Sequence, residues 1–168
     1  MIRIVIAEDQ ELLLEAMGNL LNLEDDIEVV GTAVNGEEAI MLVNQLQPDI
    51  CIMDIEMPEK SGLEAAESLQ ENACKVIILT TFARPGYFRR ALKASVAGYL
   101  LKDNPSEELA YSIRSIMDGK RIYSQELMDE DTSETSDHLS HKTSQTINKG
   151  SVKNYLTSIM DKIKLPTG

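Results

Sequence analysis

The sequence has little cysteine, no metal-binding cysteine or histidine pattern and no long apolar run, and each shortage excludes a class of protein. Its two cysteines, Cys51 and Cys74, lie in or just before apolar segments, so we expect buried thiols in a reducing cytoplasm. No CxxC pair or histidine cluster suggests zinc. No stretch approaches the roughly 18 apolar residues of a membrane span. The N-terminus enters a strand pattern at once, which is not typical of a signal peptide.

Positive charge is also scarce. Sixteen lysines and arginines stand against 28 aspartates and glutamates, and the formal net charge is −12. Such a chain does not attract nucleic acid as a whole, so any DNA-binding part must be a local basic patch. The length of 168 residues allows one good core and a small appendage.

Residues 1–128 alternate between two patterns. Short apolar runs predict strands at 2–7, 27–33, 50–53, 75–80 and 98–101. Apolar residues at helical spacing predict helices at 11–23, 37–46, 62–71, 85–94 and 106–118. This alternation predicts an α/β fold with a doubly wound, five-stranded parallel sheet.

Charged and polar residues stand at the carboxyl ends of the predicted strands, where ligands bind in such sheets. The carboxylates of Glu8, Asp9 and Asp54 offer the oxygen ligands that Mg²⁺ prefers. Asp54 is also a candidate nucleophile toward phosphorus. Lys102 and the Thr80 hydroxyl could bind phosphoryl oxygens. Each residue alone is more simply a solvated strand end, a cap or a surface lysine, but the joint pattern in this order favours a phosphoryl site.

Four segments of the sequence resemble bacterial response-regulator receiver domains. They are residues 6–9, 53–58 with Gly62, 79–80 and 98–102, and the D-x-x-M-P-x-x-x-G pattern that starts at Asp54 is specific. The resemblance covers residues 1 to about 125 and implies a CheY-like fold with Asp54 as the phosphoacceptor for a histidine kinase.

The same resemblance implies roles for the other site residues. Glu8, Asp9, Asp54 and the backbone carbonyl of Glu56 would organise Mg²⁺. Thr80 and Lys102 would contact the phosphoryl group. Tyr99 matches the aromatic switch that swings inward when the threonine moves, although an ordinary half-buried strand aromatic would also fit this position.

Residues 80–88 and 27–31 resemble the NarL/FixJ subfamily more narrowly, and within it a regulator paired with a membrane-fluidity-sensing kinase in Gram-positive bacteria. This resemblance implies dimerisation on phosphorylation and promoter binding by a four-helix domain with a helix-turn-helix. Candidate dimer surfaces are the first and last receiver helices and the helix predicted at 85–94.

The segment after residue 128 departs from that pattern. Residues 129–148 begin with a polar, acidic run and are predicted to be a linker or an incompletely represented segment. Residues 149–168 resemble the start of the recognition helix, in which Ser151, Lys153 and Asn154 would face DNA. The preceding helices are missing or reduced, and the final dimerisation helix is missing. A lone amphipathic helix is marginal by itself.

Two explanations fit this departure. The chain is a truncation, or the sequence joins the ordered parts of a longer protein across omitted segments. The abrupt run at 128–131 favours the second explanation. An intact mass of 18.7 kDa would contradict it.

Two rival functions share part of the pattern. A stand-alone receiver would signal through protein contact alone. A phosphatase with an aspartyl nucleophile would use Glu56, two residues after Asp54, as its acid and base. Such nucleophiles usually lie on the first strand, and this chain has no substrate-capping insert. We therefore expect a switch protein that accepts phosphate on its own Asp54, with slow autodephosphorylation possible, rather than an enzyme.

Overall fold

The computed structural model describes residues 1–81, 84–103 and 106–131, with backbone only for 106 and 129–131. Its strands are β1 (Ile2–Ala7), β2 (Ile27–Ala33), β3 (Ile50–Asp54), β4 (Lys75–Thr80), β5 (Gly98–Leu101) and β6 (Ile122–Tyr123). Its helices are α1 (Glu11–Leu21), α2 (Gly36–Leu46), α3 (Gly62–Ser68), α4 (Tyr87–Lys93), α5 (Ser106–Met117) and α6 (Gln125–Asp131). All strand pairs are parallel, in the order β2-β1-β3-β4-β5-β6. The predicted α/β class with a doubly wound parallel sheet is confirmed for the described residues.

The central strands are apolar on both faces because each face carries its own core. Side chains alternate along a strand, so Val5 of β1 and Ile78 of β4 join the core beneath α2, α3 and α4. Their neighbours Ile4 and Ile77 join the opposite core beneath α1 and α5. Burial on both faces explains why these strands appear in the sequence as uninterrupted apolar runs.

The end of the described region differs from the five-stranded prediction. A sixth strand, β6, adds to the sheet edge by pairing with β5. With two residues, it is too short to show any periodic pattern in the sequence. Helix α6 then packs against α4 and β5, with Leu127 buried. It reaches three residues into the predicted linker. Residues 132–168, which include Ser151, Lys153 and Asn154, lie outside the described residues.

Helix α4 begins two residues later than predicted. Gly86 precedes it with a φ of 86°, a left-handed conformation that glycine adopts at low cost. The turn is closed by the Tyr87 amide, which donates to the Arg84 carbonyl at 3.1 Å. This turn places Arg84 and Tyr87 at the same edge of the sheet as the carboxyl end of β4. Of the helices in the described ranges, none is long and apolar enough to cross a bilayer.

Candidate functional site

The parallel register gathers the predicted site residues at one edge of the sheet. Asp54 ends β3 and Thr80 ends the neighbouring β4. Lys102 follows β5, and its amide donates to the Thr80 carbonyl at 2.9 Å. Glu8 and Asp9 follow β1, which pairs with β3 on the side of β3 away from β4. The topology therefore brings together the residues that the sequence separates.

Lys102 connects two of the carboxylates. Its ammonium donates to Oε2 of Glu8 and lies 3.1 Å from Oδ2 of Asp54. The other oxygen of each carboxylate accepts a hydrogen bond from a backbone amide. The Gln10 amide donates to Oε1 of Glu8 at 3.1 Å, and the Ile55 amide donates to Oδ1 of Asp54 at 2.7 Å. The side chains of Glu8 and Lys102 are only 1% and 8% exposed. The pair is therefore rigidly held and shielded from solvent.

Burial makes the negative charges of this site costly. Desolvation raises the pKa of Glu8 and of Asp54, and Lys102 only partly opposes that rise. The two carboxylates repel each other, and Asp9 adds to the repulsion at Asp54. One buried lysine therefore does not neutralise the negative charge of the cluster. A bound cation would reduce the repulsion among the carboxylates.

The same carboxylates can hold a divalent cation. Glu8, Asp9 and Asp54 each place a carboxylate oxygen within 4.8 Å of the others. Asp9 is exposed, so the cluster opens to solvent. An all-oxygen donor set with room for several waters suits Mg²⁺. A contribution from the Glu56 backbone carbonyl stays a prediction.

A cleft with a volume of about 530 Å³ opens above these residues. Asp9, Asp54, Thr80 and Lys102 all line it. Thr80 is 3% exposed at the cleft floor. The apolar part of the lining comes from Leu13, Met17, Leu79, Leu100, Leu101 and Leu109. The cleft is large enough for a phosphoryl group and the side chain that delivers it.

The glycine of the D-x-x-M-P-x-x-x-G pattern has a steric explanation. A Cβ atom on Gly62 would lie 1.9 Å from the Asp54 carbonyl oxygen. The Gly62 amide donates to the Ile55 carbonyl at 3.0 Å, which closes the loop from β3 to α3. Gly62 therefore allows α3 to begin directly against the backbone of Asp54.

Tyr99 is buried rather than half-buried. It is 0% exposed on β5, and its ring centroid lies 5.5 Å from that of Phe88 on α4. Phe88 also meets Tyr123 of β6 edge-on at 5.6 Å. The predicted switch residue thus contacts α4, and its switching role stays a prediction.

The sequence did not indicate the contacts of the Glu56 side chain. Its carboxylate accepts a hydrogen bond from the Tyr87 hydroxyl at 3.1 Å and lies 3.4 Å from Nε of Arg84. Arg84 also lines the cleft. Glu56 lies in the loop after β3, whereas Arg84 precedes α4 and Tyr87 begins it, 31 positions after Glu56, so no local pattern links them.

Comparisons with known proteins agree with this geometry. The family model described as "Response regulator receiver domain" matches residues 4–114. The transcriptional regulatory protein DesR of Bacillus subtilis is 54% identical over 183 aligned positions, covering 98% of this chain and 92% of DesR. A second B. subtilis relative, the uncharacterized transcriptional regulatory protein YvfU, is 60% identical over 129 residues, which are 76% of this chain but only 64% of YvfU.

A solved structure gives the same result. The crystal structure of a DNA-binding response regulator of the LuxR family from Staphylococcus aureus is 40% identical, with a TM-score of 0.66. The match covers 69% of this chain and 98% of that one. Most of the described region is therefore shared with a receiver of known structure. With its site residues at the expected strand ends, this chain belongs to the response-regulator receiver family.

Proposed function

We propose that Asp54 accepts a phosphoryl group from the phosphohistidine of a histidine kinase and that this controls dimerisation and DNA binding. One observation carries the proposal. A largely buried carboxylate, 11% exposed, faces an open cleft, with an ammonium 3.1 Å away and two further carboxylates placed so that the three could hold a metal ion. That set supplies a nucleophile, a fixed positive charge and a cation site within one cleft.

The proposed transfer forms one bond to phosphorus and breaks another. An Asp54 carboxylate oxygen attacks phosphorus, the phosphorus–nitrogen bond of the kinase histidine breaks, and the imidazole leaves with the electron pair. The Lys102 ammonium, 3.1 Å from Asp54, would pair with the oxygens of the transferred phosphoryl group. The hydroxyl of Thr80, which lines the cleft, would donate a hydrogen bond to another of these oxygens. Mg²⁺, when held by Glu8, Asp9 and Asp54, supplies further neutralisation of the phosphoryl charge.

The downstream part of the proposal is a two-state switch. Phosphorylation favours the arrangement of Thr80, Lys102 and Tyr99 that binds the phosphoryl group better, and it shifts the population accordingly. The kinship with DesR, a transcriptional regulatory protein, supports a promoter as the target. A stimulus connected with membrane-lipid fluidity or cold is part of the same proposal.

DNA contacts by Ser151, Lys153 and Asn154 also belong to the proposal. The DesR alignment spans 183 positions and this chain has 168 residues, so DesR has at least 15 aligned positions that this chain lacks. The proposed receiver function does not depend on them.

Phosphotransfer tests the central step. Wild type, Asp54→Ala and Asp118→Ala are incubated with radiolabelled acetyl phosphate and Mg²⁺, and incorporated label is counted. Asp118 is an exposed acid just after α5 and serves as the matched control. We expect label on wild type and Asp118→Ala only. Equal labelling of Asp54→Ala would refute the assignment.

Two further measurements separate the rival functions. Rapid turnover of a small phosphate ester by the wild type would favour a phosphatase. Failure of the phosphorylated whole chain both to bind promoter fragments and to dimerise would favour a receiver that acts through contact with other proteins alone. The proposed switch requires slow turnover and a change in oligomeric state or DNA affinity on phosphorylation.

A further inference from the structure

The geometry points to Arg84 as a second phosphoryl-binding residue, held by the Glu56 carboxylate until Asp54 is phosphorylated. This inference rests on the proposed function of Asp54. It concerns how the same site holds the transferred group and how it distinguishes its two states.

The first support is the distribution of positive charge around the cleft. Among the described residues that line it, Lys102 and Arg84 are the two cations. Lys102 already contacts both Glu8 and Asp54, so its charge is divided between two carboxylates. Conversion of the Asp54 carboxylate to an acyl phosphate adds about one negative charge. Arg84 is the described cation available to meet it.

The second support is how weakly Arg84 is held. Its Nε lies 3.4 Å from the Glu56 carboxylate, and the two side chains are 64% and 58% exposed. Exposed ion pairs at this distance contribute little because water screens them. Exchanging such a partner costs little, so a stronger anion in the same cleft can displace Glu56.

The third support is the chemistry of the two competing anions. A guanidinium group can bind two phosphoryl oxygens at once through parallel N–H donors. This arrangement is stronger than the single contact that Arg84 makes with the Glu56 carboxylate. Glu56 lines the same cleft, but its side chain is 58% exposed, whereas the Asp54 side chain that would carry the phosphoryl group is 11% exposed, so charge pairs there are less screened. Phosphorylation therefore transfers Arg84 from Glu56 to the phosphoryl oxygens.

The competition predicts effects of opposite sign. Arg84→Gln removes the phosphoryl contact, so binding of beryllofluoride with Mg²⁺, a phosphoryl mimic, weakens about 5-fold. Glu56→Gln removes the competitor, so the same binding tightens about 3-fold. The double variant behaves like Arg84→Gln. Chemical shifts of the whole chain, followed during titration, give the affinities.

Matched controls separate this role from a structural one. Arg90 on α4 pairs with Glu67 at 2.9 Å, with both side chains 44% exposed, but it does not line the cleft. Arg90→Gln should leave the affinity unchanged. The Mg²⁺ affinity of each variant is also measured without beryllofluoride, so that a change in metal binding is not counted as a change in binding of the phosphoryl mimic.

The outcomes distinguish the two proposals. If Arg84→Gln binds beryllofluoride as tightly as wild type, or if Arg84→Gln and Glu56→Gln shift in the same direction, the Arg84 inference is overturned. If wild type and Asp54→Ala bind the mimic equally well, the proposed function of Asp54 fails instead. Opposite shifts in the two single variants, with Arg90→Gln unchanged, support the exchange.

Discussion

The Lys102 ammonium lies between two carboxylates, in contact with Oε2 of Glu8 and 3.1 Å from Oδ2 of Asp54. One buried cation thus serves two buried anions, and the pKa of each carboxyl is still raised by burial. The site carries an excess of negative charge that the fold alone does not neutralise. This imbalance disfavours the empty site and favours occupancy by a cation.

Replacement of Asp54 by asparagine should therefore stabilise the fold. The variant removes one of the clustered charges and leaves Lys102 paired with Glu8. We expect the free energy of unfolding at pH 7 to increase by about 1 kcal/mol. Urea unfolding measures it, with the exposed Asp118→Asn as the control. A less stable Asp54→Asn would contradict the electrostatic account.

Acidification should reduce that difference. With raised pKa values, the folded carboxyls bind protons at a higher pH than the unfolded chain, whose ordinary values are 4.5 for Glu8 and 3.8 for Asp54. The folded state then binds more protons, so their contribution to stability rises as the pH falls toward those values. The advantage of Asp54→Asn over wild type should be smaller at about pH 4 than at pH 7. An advantage that grows on acidification would show that the pKa shifts have the opposite sign.

Metal binding should depend on Asp9 more than on Glu11, the nearby exposed acid two positions later. Asp9 belongs to the carboxylate cluster, whereas Glu11, an exposed residue that begins α1, does not. We expect Asp9→Asn to weaken Mg²⁺ binding about 10-fold or more and Glu11→Gln to leave it unchanged. Thermal unfolding across a Mg²⁺ series reports the affinity through ligand stabilisation. Equal effects of the two variants would indicate general surface attraction.

Two glycine-to-alanine substitutions should act in opposite directions. Gly62→Ala places a methyl group 1.9 Å from the Asp54 carbonyl oxygen, so we expect a loss of about 3 kcal/mol and impaired labelling of Asp54. Gly18 lies within α1 with open space around it, so Gly18→Ala should stabilise by about 0.5 to 1 kcal/mol. Urea unfolding compares the two. A tolerated Gly62→Ala would mean that the loop from β3 to α3 can move aside.

The two thiols should be inert in the folded protein. Cys51 and Cys74 are free and buried, and burial, with Asp49 nearby, raises the pKa of Cys74 to about 12. Reaction with a thiol reagent at pH 8 should be about 100-fold slower, or more, than in the urea-unfolded chain. Fast reaction of one thiol before unfolding would show local opening near β3 or β4.

The strands of the sheet were predictable because burial on both faces makes them continuous apolar runs. The predicted limits of β1, β2, β4 and β5 match the structure. Strand β6 has two residues, and α6 is one short acidic helix, so neither offers enough periodicity for a prediction.

The site was predictable for a different reason. Parallel strands bring their carboxyl ends to one edge, so chain order alone places Glu8, Asp54 and Lys102 together. It does not say which groups pair. The contact between Lys102 and Glu8 spans 94 positions and depends on side-chain direction. The contacts of the Glu56 carboxylate could not be predicted for the same reason, because they also depend on side-chain direction.

The aromatic row of Tyr99, Phe88 and Tyr123 has a mechanical consequence. Phe88 follows Tyr87, whose hydroxyl touches the loop after Asp54, and its ring contacts both the tyrosine of β5 and the tyrosine of β6. The chain leaves the sheet through β6 and α6, and α6 packs on α4. Helix α4 thus contacts the loop after Asp54 through Tyr87, its first residue, and packs on α6 along its side. A rotation of α4 by a few degrees would move both the loop and the point where the rest of the chain is attached.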